Sequence, residues 1–220
     1  MKSVIFDLDG TLADTSADLI AAANRCFRDL GHGDLLNPEE DAETAFHGGK
    51  AMLTLGFSRI GEHDKALVEA EHPKLLAHYD ADICRQTKLY PGAREAVAEL
   101  TARGYKVGIC TNKPSGLAEK LMGELDFRDA FGSLVGADTL PVRKPDPAPL
   151  VEAVTRLGAD PARTCLIGDT ETDRLTAQAA EVPCVLVTFG PAGEDVRHLG
   201  PDATIASFAE LPDVVDGLDL

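Results

Sequence analysis

Residues 4–11 of the chain read VIFDLDGT, and this stretch decides the fold. The apolar run at its start predicts a buried β-strand that ends directly in Asp7 and Asp9. Side chains alternate between the two faces of a strand, so these carboxylates leave the strand end on the same side, with Cα atoms about 7 Å apart. One carboxylate of such a pair can attack an electrophile while both share a divalent cation. The stretch therefore predicts a metal and nucleophile site at a strand end.

The composition is that of an ordinary globular protein. Its 220 residues are 44% hydrophobic, which is enough for one substantial core and a smaller additional unit. No apolar run approaches the roughly 20 residues of a membrane span, so a soluble, cytoplasmic protein is expected. The 37 acidic and 21 basic residues give a net charge of −16, which disfavours nucleic acid and membrane partners. The expected partner is a small molecule, and the expected assembly is a monomer or a homodimer.

The five cysteines predict no chemistry of their own. Their number is odd and they lack the pairwise spacing of a zinc site, so neither a disulfide framework nor a zinc site is indicated. Cys110, Cys165 and Cys184 lie in apolar runs. We predict that these three are small core residues and not nucleophiles.

After residue 90, short apolar runs alternate with segments of helical periodicity. This alternation is typical of an α/β fold in which helices cover both faces of a parallel sheet. Ligand sites in such sheets lie at the carboxyl ends of the strands. The predicted strands are residues 106–110, 133–136, 164–168 and 184–188, and helices are predicted after Pro114, Pro149 and Thr172.

Between the first strand and this region the pattern is helical, because no strand-like run occurs. The first helix follows Thr15 and Ser16, which are typical of helix N-termini, and Gly31 marks its end. Two further helices are predicted over residues 51–60 and 66–83, the latter kinked or interrupted by Pro73. We therefore predict a core formed by residues 1–13 and 87–220, and an inserted all-helical domain formed by residues 14–86.

Three further groups of polar residues follow predicted strands. Thr111 and Asn112 could hold phosphate oxygens or simply cap the next helix. Lys144, in a proline-rich turn, could balance the charge of paired carboxylates or lie solvated on the surface. Asp169 and Asp173 could supply oxygen ligands or stabilise a helix N-terminus. Each group alone is commonplace, but their occurrence together and in this order is not.

Four ordered motifs make the chain resemble the haloacid dehalogenase-like hydrolases. The resemblance implies a Rossmann-like core with a helical cap inserted after the first motif. Within the family, TNKP at residues 111–114 and the all-helical insert are most similar to the phosphoglycolate phosphatase branch. The four motifs are DLDGT at residues 7–11, Thr111, Lys144, and GD at residues 168–169 with Asp173.

The resemblance also implies a role for each motif residue. Asp7 would be the nucleophile that forms an aspartyl-phosphate. Asp9 would be the general acid and then the general base, with its backbone carbonyl on Mg²⁺. The phosphoryl oxygens would be held by Thr111, Asn112 and Lys144. Mg²⁺, or Mn²⁺ at the same all-oxygen site, would be held by Asp7, Asp9, Asp169 and Asp173, the last as a ligand or as support for one.

Substrate choice would belong to the helical insert. Its loop at residues 46–50 offers His47 and Lys50 as partners for a substrate carboxylate, although a plain helix-to-helix turn would look the same. The loop departs from the phosphoglycolate phosphatase pattern, because His47 stands where that branch has a glycine. Lys113 and Arg174 are further cations near the predicted site.

The expected function is a Mg²⁺-dependent phosphatase that acts on a small phosphorylated metabolite, a phosphoglycolate-like phosphomonoester. A second aspartate, Asp9, favours phosphoryl transfer over dehalogenation because a halide leaving group needs no proton. A sugar phosphomutase with the same nucleophile is the alternative. A non-catalytic binding protein is disfavoured because the motif residues are present, and a nicotinamide oxidoreductase because the first strand leads to DLDGT and not to GxGxxG.

Overall fold

The computed structural model describes residues 1–220 and divides the chain into two compact units. One unit contains residues 1–13 and 89–220, and the other contains residues 14–88. The ranges predicted from the sequence were 1–13 with 87–220 and 14–86. The two divisions therefore differ only in the assignment of residues 87 and 88.

The first unit is built on a six-stranded parallel sheet, and the two short strands β2 and β3 pair separately. In chain order the strands are β1 (Ser3–Phe6), β2 (Ala13–Asp14), β3 (Lys88–Leu89), β4 (Lys106–Cys110), β5 (Ser133–Val135), β6 (Thr164–Gly168), β7 (Cys184–Val187) and β8 (Ala203–Ile205). The helices are α1 (Ser16–Asp29), α2 (Ala42–Phe46), α3 (Gly49–Ser58), α4 (Lys65–Ala81), α5 (Ala93–Ala102), α6 (Ser115–Glu124), α7 (Ala148–Arg156), α8 (Glu171–Ala179) and α9 (Leu211–Asp216). Short 3₁₀ helices cover Arg128–Ala130, Pro161–Arg163, Gly193–Leu199 and Phe208–Glu210.

Strand β1 lies in the middle of the large sheet, whose order is β5-β4-β1-β6-β7-β8. Its last residue, Phe6, is in register with Ile109 of β4 and Ile167 of β6. The chain order reverses on either side of β1, and in parallel sheets a ligand binds at such a switch point, outside the carboxyl ends of the strands. Every residue of β1 is buried, as its apolar run predicts. Strand β1 therefore places the first motif, which directly follows it, at the switch point.

The predicted α/β fold with a parallel sheet is confirmed. The strands predicted at 106–110 and 164–168 have the same bounds in the structure, and those at 133–136 and 184–188 are one residue shorter. Helices α2, α5 and α9 and strands β2, β3 and β8 were not predicted from the sequence. Strand β8 has only three residues, two of them half-buried, and so short a segment leaves no clear apolar run.

Helices pack against the sheet and complete its core. Helix α5 packs against β4, α7 against β1, β4 and β5, and α8 against β6 and β7. The predicted core cysteines Cys110, Cys165 and Cys184 are all fully buried, and none of the five cysteines forms a disulfide. Burial raises the pKa of the Cys110 thiol to about 12, so this thiol is not a nucleophile near neutral pH.

The second unit is helical, as predicted, but its helices differ in detail from the prediction. The helix predicted at 51–60 covers residues 49–58, and the one predicted at 66–83 is the single helix α4, which continues through Pro73. Pro73 removes one backbone donor, but α4 packs against both α1 and α3, and this packing keeps it continuous. Of the two effects predicted for Pro73, a kink or an interruption, the interruption was therefore wrong.

Side chains inside the helical unit hold its helices in place. The buried carboxylate of Asp18 on α1 accepts hydrogen bonds from the backbone N–H groups of Gln86 and Thr87 and from the Thr87 hydroxyl. Phe27 of α1 packs edge-on against Phe57 of α3, with ring centres 5.1 Å apart. None of the helices in the protein combines the length and the apolar character needed to cross a lipid bilayer.

Candidate active site

The carboxyl ends of β1, β4 and β6 bring the motif residues of the core together. The Asp7 N–H donates to the Ile167 carbonyl at 2.8 Å, which ties the residue after β1 to strand β6. The Thr111 N–H donates to the Val135 carbonyl at 2.9 Å, which fixes the residue after β4 against β5. The register of the sheet therefore places Asp7 and Thr111 at the same edge.

The turn after β1 is shaped by Gly10 and Thr11. Gly10 has a φ of +82°, which L side chains rarely adopt, and a Cβ atom there would lie 2.2 Å from Asp169 Oδ2. The fully buried Thr11 hydroxyl donates to Asp169 Oδ1 at 2.6 Å. Thr11 is part of the first motif, but no role was predicted for it from the sequence. It orients the carboxylate of the fourth motif.

Replacing Gly10 by alanine is expected to damage both the fold and the site. The positive φ should cost about 1–3 kcal/mol of unfolding free energy, and the added methyl group should displace Asp169 and weaken Mg²⁺ binding. Chemical denaturation and a calorimetric Mg²⁺ titration measure these two effects. As a control, Gly116 of α6 has no positive φ, and a Cβ atom added there would meet nothing within 4 Å, so Gly116→Ala should retain both properties. Unchanged stability and Mg²⁺ affinity in Gly10→Ala would contradict the assignment.

Lys144 is a buried ammonium group between two carboxylates. Its side chain is 2% exposed, and Nζ lies 2.6 Å from Asp173 Oδ1 and 3.0 Å from Asp7 Oδ1. Burial alone would lower its pKa, but the carboxylates of Asp173 and Asp7 outweigh burial and raise the pKa above its ordinary value. The solvated surface lysine that the sequence left open is therefore wrong. Lys144 is a fixed positive charge next to Asp7.

Asp173 uses both of its carboxylate oxygens inside the protein. Oδ1 accepts the hydrogen bond from Lys144, while Oδ2 accepts hydrogen bonds from the Asp169 and Thr170 N–H groups and from the Thr170 hydroxyl. Thr170 in turn accepts from the Asp173 N–H, so the two residues form a capping box at the start of α8. This arrangement makes Asp173 a support for Lys144 and for the loop that carries Asp169.

The other two acidic residues of the cluster have raised pKa values. Burial raises the pKa of Asp7 to about 6, with Lys144 opposing and Asp173 adding to the effect. Burial, reinforced by Asp173 and Asp7, raises the pKa of Asp169 well above its ordinary value. Asp169 Oδ2 is buried without a hydrogen-bond partner, and Asp7 Oδ1 faces Lys144 without hydrogen-bond geometry. A further positive charge near these two oxygens would favour the ionised forms of Asp7 and Asp169.

The acidic cluster fits a divalent cation. Oxygens of Asp7, Asp169 and Asp173 all lie within 4.8 Å of one another. With Asp9, the site has four carboxylates against the two ammonium groups of Lys113 and Lys144. A divalent cation would balance this difference, and carboxylate oxygens are the ligands that Mg²⁺ and Mn²⁺ prefer. The buried, unpartnered Asp169 Oδ2 is an oxygen available for that ion.

The second motif contributes to the site through its backbone and its side chains. The Thr111 hydroxyl is nearly buried and accepts a hydrogen bond from the Lys113 N–H at 3.1 Å. The Asn112 side-chain amide donates to the Lys144 carbonyl at 3.0 Å, so it fixes the turn that carries Lys144. Asn112 was predicted to hold phosphate oxygens. In the structure, it connects the second motif to the third.

The two remaining cations near the predicted site have different partners. Lys113 Nζ lies 2.8 Å from Asp9 Oδ1, and its side chain is 4% exposed. Arg174 Nη1 lies 3.8 Å from Asp202 Oδ2, which is a long distance for an ion pair. The sequence predicted no specific partner for either cation. The structure gives only Lys113 a partner from the motif residues.

His47 and Lys50 belong to the helical unit. His47 is the exposed C-cap residue of α2, and Lys50 lies in the first turn of α3. Lys50 Nζ lies 2.6 Å from both carboxylate oxygens of Glu69 on α4. Lys50, a candidate partner for a substrate carboxylate, is therefore paired with Glu69 in the structure. Gly48 lies between them as the N-cap residue of α3 and has a φ of +95°. This backbone conformation favours glycine at the N-cap position.

Comparison with known proteins identifies the family. The family model for haloacid dehalogenase-like hydrolases matches residues 4–187. The phosphoglycolate phosphatase of Rhodospirillum rubrum is 38% identical in an alignment of length 219, which spans 96% of this chain and 90% of the relative. The phosphoglycolate phosphatase of Mesorhizobium japonicum is 36% identical, with coverage of 94% and 92%.

Solved structures agree with the sequence comparisons. A crystal structure described as a predicted phosphoglycolate phosphatase from Haemophilus somnus superimposes with a TM-score of 0.85 at 22% identity, covering 97% of both chains, and supports the fold. The matched region contains all four motifs, from Asp7 to Asp173. The chain therefore belongs to the haloacid dehalogenase-like hydrolases, in the branch that contains the phosphoglycolate phosphatases.

Proposed function

We propose that the chain is a Mg²⁺-dependent phosphomonoesterase that works through an aspartyl-phosphate on Asp7. The observation that carries this proposal is the buried Asp7 carboxylate, which lies 3.0 Å from the ammonium group of Lys144 at the end of the central strand. Asp169 and Asp173 lie within the same cluster. The curated relatives named phosphoglycolate phosphatase support a phosphoric monoester as the substrate class.

In the first half-reaction, a carboxylate oxygen of Asp7 attacks phosphorus, and the bond from phosphorus to the alcohol oxygen breaks. Lys144 and the Thr111 hydroxyl hold the phosphoryl oxygens, while Asp9 gives its proton to the departing alkoxide. Bound Mg²⁺ would supply positive charge against the carboxylates and the phosphoryl oxygens. Asp7, Asp169 and the Asp9 carbonyl would hold it, with Asp173 supporting Asp169.

In the second half-reaction, the aspartyl-phosphate is hydrolysed. Asp9, now ionised, takes a proton from a water molecule that attacks phosphorus, and the Asp7 carboxylate leaves. The split into two displacements suits a phosphate monoester, because its uncatalysed hydrolysis is among the slowest reactions known. Asp7 must be ionised to attack, and Lys144 favours the ionised form.

For the substrate, we propose 2-phosphoglycolate or a similar small phosphorylated acid. The names of the curated relatives support this choice. We also propose that the helical unit serves as the cap domain implied by the family resemblance, with His47 and Lys50 as its candidate substrate residues. For Lys50, this role requires release from Glu69.

Phosphate release from a panel of esters tests the proposed function. The panel contains 2-phosphoglycolate, an aryl phosphate and several sugar phosphates, each assayed with Mg²⁺ and after chelation of the metal. We expect release to be fastest with 2-phosphoglycolate, to stop on chelation and to return with Mg²⁺. Isomerisation of a sugar phosphate primed by its bisphosphate, without net release, would identify a phosphomutase. Failure to turn over any ester would indicate a binding protein.

A further inference from the structure

The site contains two buried lysines, and the proposed mechanism uses only one of them. Lys144 lies against Asp7 and Asp173, whereas Lys113 Nζ lies 2.8 Å from Asp9 Oδ1. The two aspartates of the first motif are therefore divided between two separate cations. Asp9, the carboxylate that transfers protons in the proposed mechanism, therefore has its own cationic partner in Lys113.

The backbone around Lys113 is held on both sides. Its N–H donates to the Thr111 hydroxyl at 3.1 Å, and its carbonyl accepts from the Ala137 N–H at 3.0 Å. A Cβ atom on Gly136 would lie 2.8 Å from that carbonyl, so glycine permits this close approach. The base of the Lys113 side chain is thus fixed relative to β4 and to the loop after β5.

A buried ammonium group is costly unless it is paired in good geometry. The Lys113 side chain is 4% exposed and the Asp9 side chain 17%, so the pair is largely removed from water. Apolar residues of similar size would often serve stability equally well at such a position. A role of Lys113 in the active site therefore explains the presence of a buried lysine better than a role in stabilising the fold.

We propose that Lys113 is a positioning residue that holds the Asp9 carboxylate for proton transfer at the leaving-group oxygen. Lys113 holds Oδ1 of Asp9, while Lys144 lies next to Asp7 and supplies positive charge to the phosphoryl group. Without Lys113, Asp9 Oδ1 loses the ammonium group that holds it in place. The proposal rests on the proposed function, because it assigns Lys113 to the residue that acts as acid and base there.

Two esters with different leaving groups separate this role from a general structural one. An alkyl phosphate needs a proton on its departing oxygen, whereas dinitrophenolate leaves without one. In Lys113→Met, we expect kcat/KM for the best alkyl substrate to fall by about 10²-fold, and dinitrophenolate release in a single turnover to fall by less than about threefold. Hydrolysis of the aspartyl-phosphate also needs Asp9, so the variant should release one equivalent of dinitrophenolate in a burst before a slow steady state.

The controls use the wild-type chain and matched variants. Lys106→Met removes an exposed lysine at the opposite end of β4 and should leave both esters unaffected. Asp9→Asn should reproduce the selective loss, and Lys113→Met added to Asp9→Asn should cause no further loss if Lys113 acts through Asp9. The double variant leaves no unpaired charge in this pair, which protects the test against misfolding.

Two outcomes would overturn the proposal. One is an equal loss of dinitrophenolate release and alkyl ester turnover in folded Lys113→Met. The other is an additional loss when Lys113→Met is combined with Asp9→Asn. Failure of the proposed function looks different, since the wild-type chain would then release phosphate from neither ester.

Discussion

Replacing Asp7 by asparagine is expected to lower phosphate release by about 10⁴-fold or more, because the variant lacks the nucleophile and cannot form the covalent intermediate. The amide has nearly the same shape as the carboxylate, so the position at the end of β1 should be preserved. The measurement is kcat/KM on the best ester of the panel with saturating Mg²⁺. Retention of a tenth or more of the wild-type value would show that Asp7 is not the nucleophile.

The stability of Asp7→Asn provides the control for this loss. Burial raises the pKa of Asp7 from 3.8 to about 6, so the metal-free folded protein holds this proton more tightly than the unfolded chain does. The contribution of Asp7 to the wild-type unfolding free energy therefore falls as the pH rises through this interval, by about 3 kcal/mol at 1.36 kcal/mol per pKa unit. Asparagine does not titrate. In denaturation at several pH values, Asp7→Asn should become more stable relative to wild type as the pH rises from about 4 to about 6.

Replacing Lys144 by methionine is expected to cause both a large loss of activity and a large loss of stability. The variant lacks the cation beside Asp7, which should lower kcat by about 10³-fold. It also leaves Asp173 and Asp7 as buried carboxylates without their ammonium partner, which should cost about 3–5 kcal/mol of unfolding free energy. Steady-state kinetics and chemical denaturation measure the two effects.

A second variant separates these two effects of Lys144. Adding Asp173→Asn to Lys144→Met removes one of the stranded charges and should recover part of the stability without recovering activity. Recovery of activity together with stability would mean that Lys144 serves the fold alone. A Lys144→Met protein as stable as wild type would contradict the buried ion pairs described above.

The position of the site could be predicted because few sequence features determine it. A buried strand must be apolar, so the run before Asp7 identifies β1, and the alternation of strands and helices identifies a parallel sheet. In such a sheet the residues that follow the strands share one edge. Asp7, Thr111 and Asp169 could therefore be placed together from the sequence alone.

The partners of the side chains could not be predicted in the same way. Lys113 and Arg174 are both cations beside motif residues, yet the first meets Asp9 and the second lies towards Asp202. The spacing between Asp169 and Asp173, about one helical turn, left open whether Asp173 is a metal ligand or the support for one. In the structure, Asp173 caps α8 and binds Lys144, and these contacts depend on where α8 begins. Pairings of this kind are set by tertiary packing, which local sequence patterns do not encode.

Chemical trapping of the intermediate tests the central claim most directly. The enzyme is mixed with excess ester and Mg²⁺, quenched in acid during turnover and treated with borohydride, which reduces an acyl phosphate to an alcohol. Fragment mass spectrometry then locates the reduced residue. The mechanism predicts the reduced side chain at position 7 only, and none in Asp7→Asn. Reduction at position 9, or no reduction at any carboxylate while phosphate is being released, would contradict it.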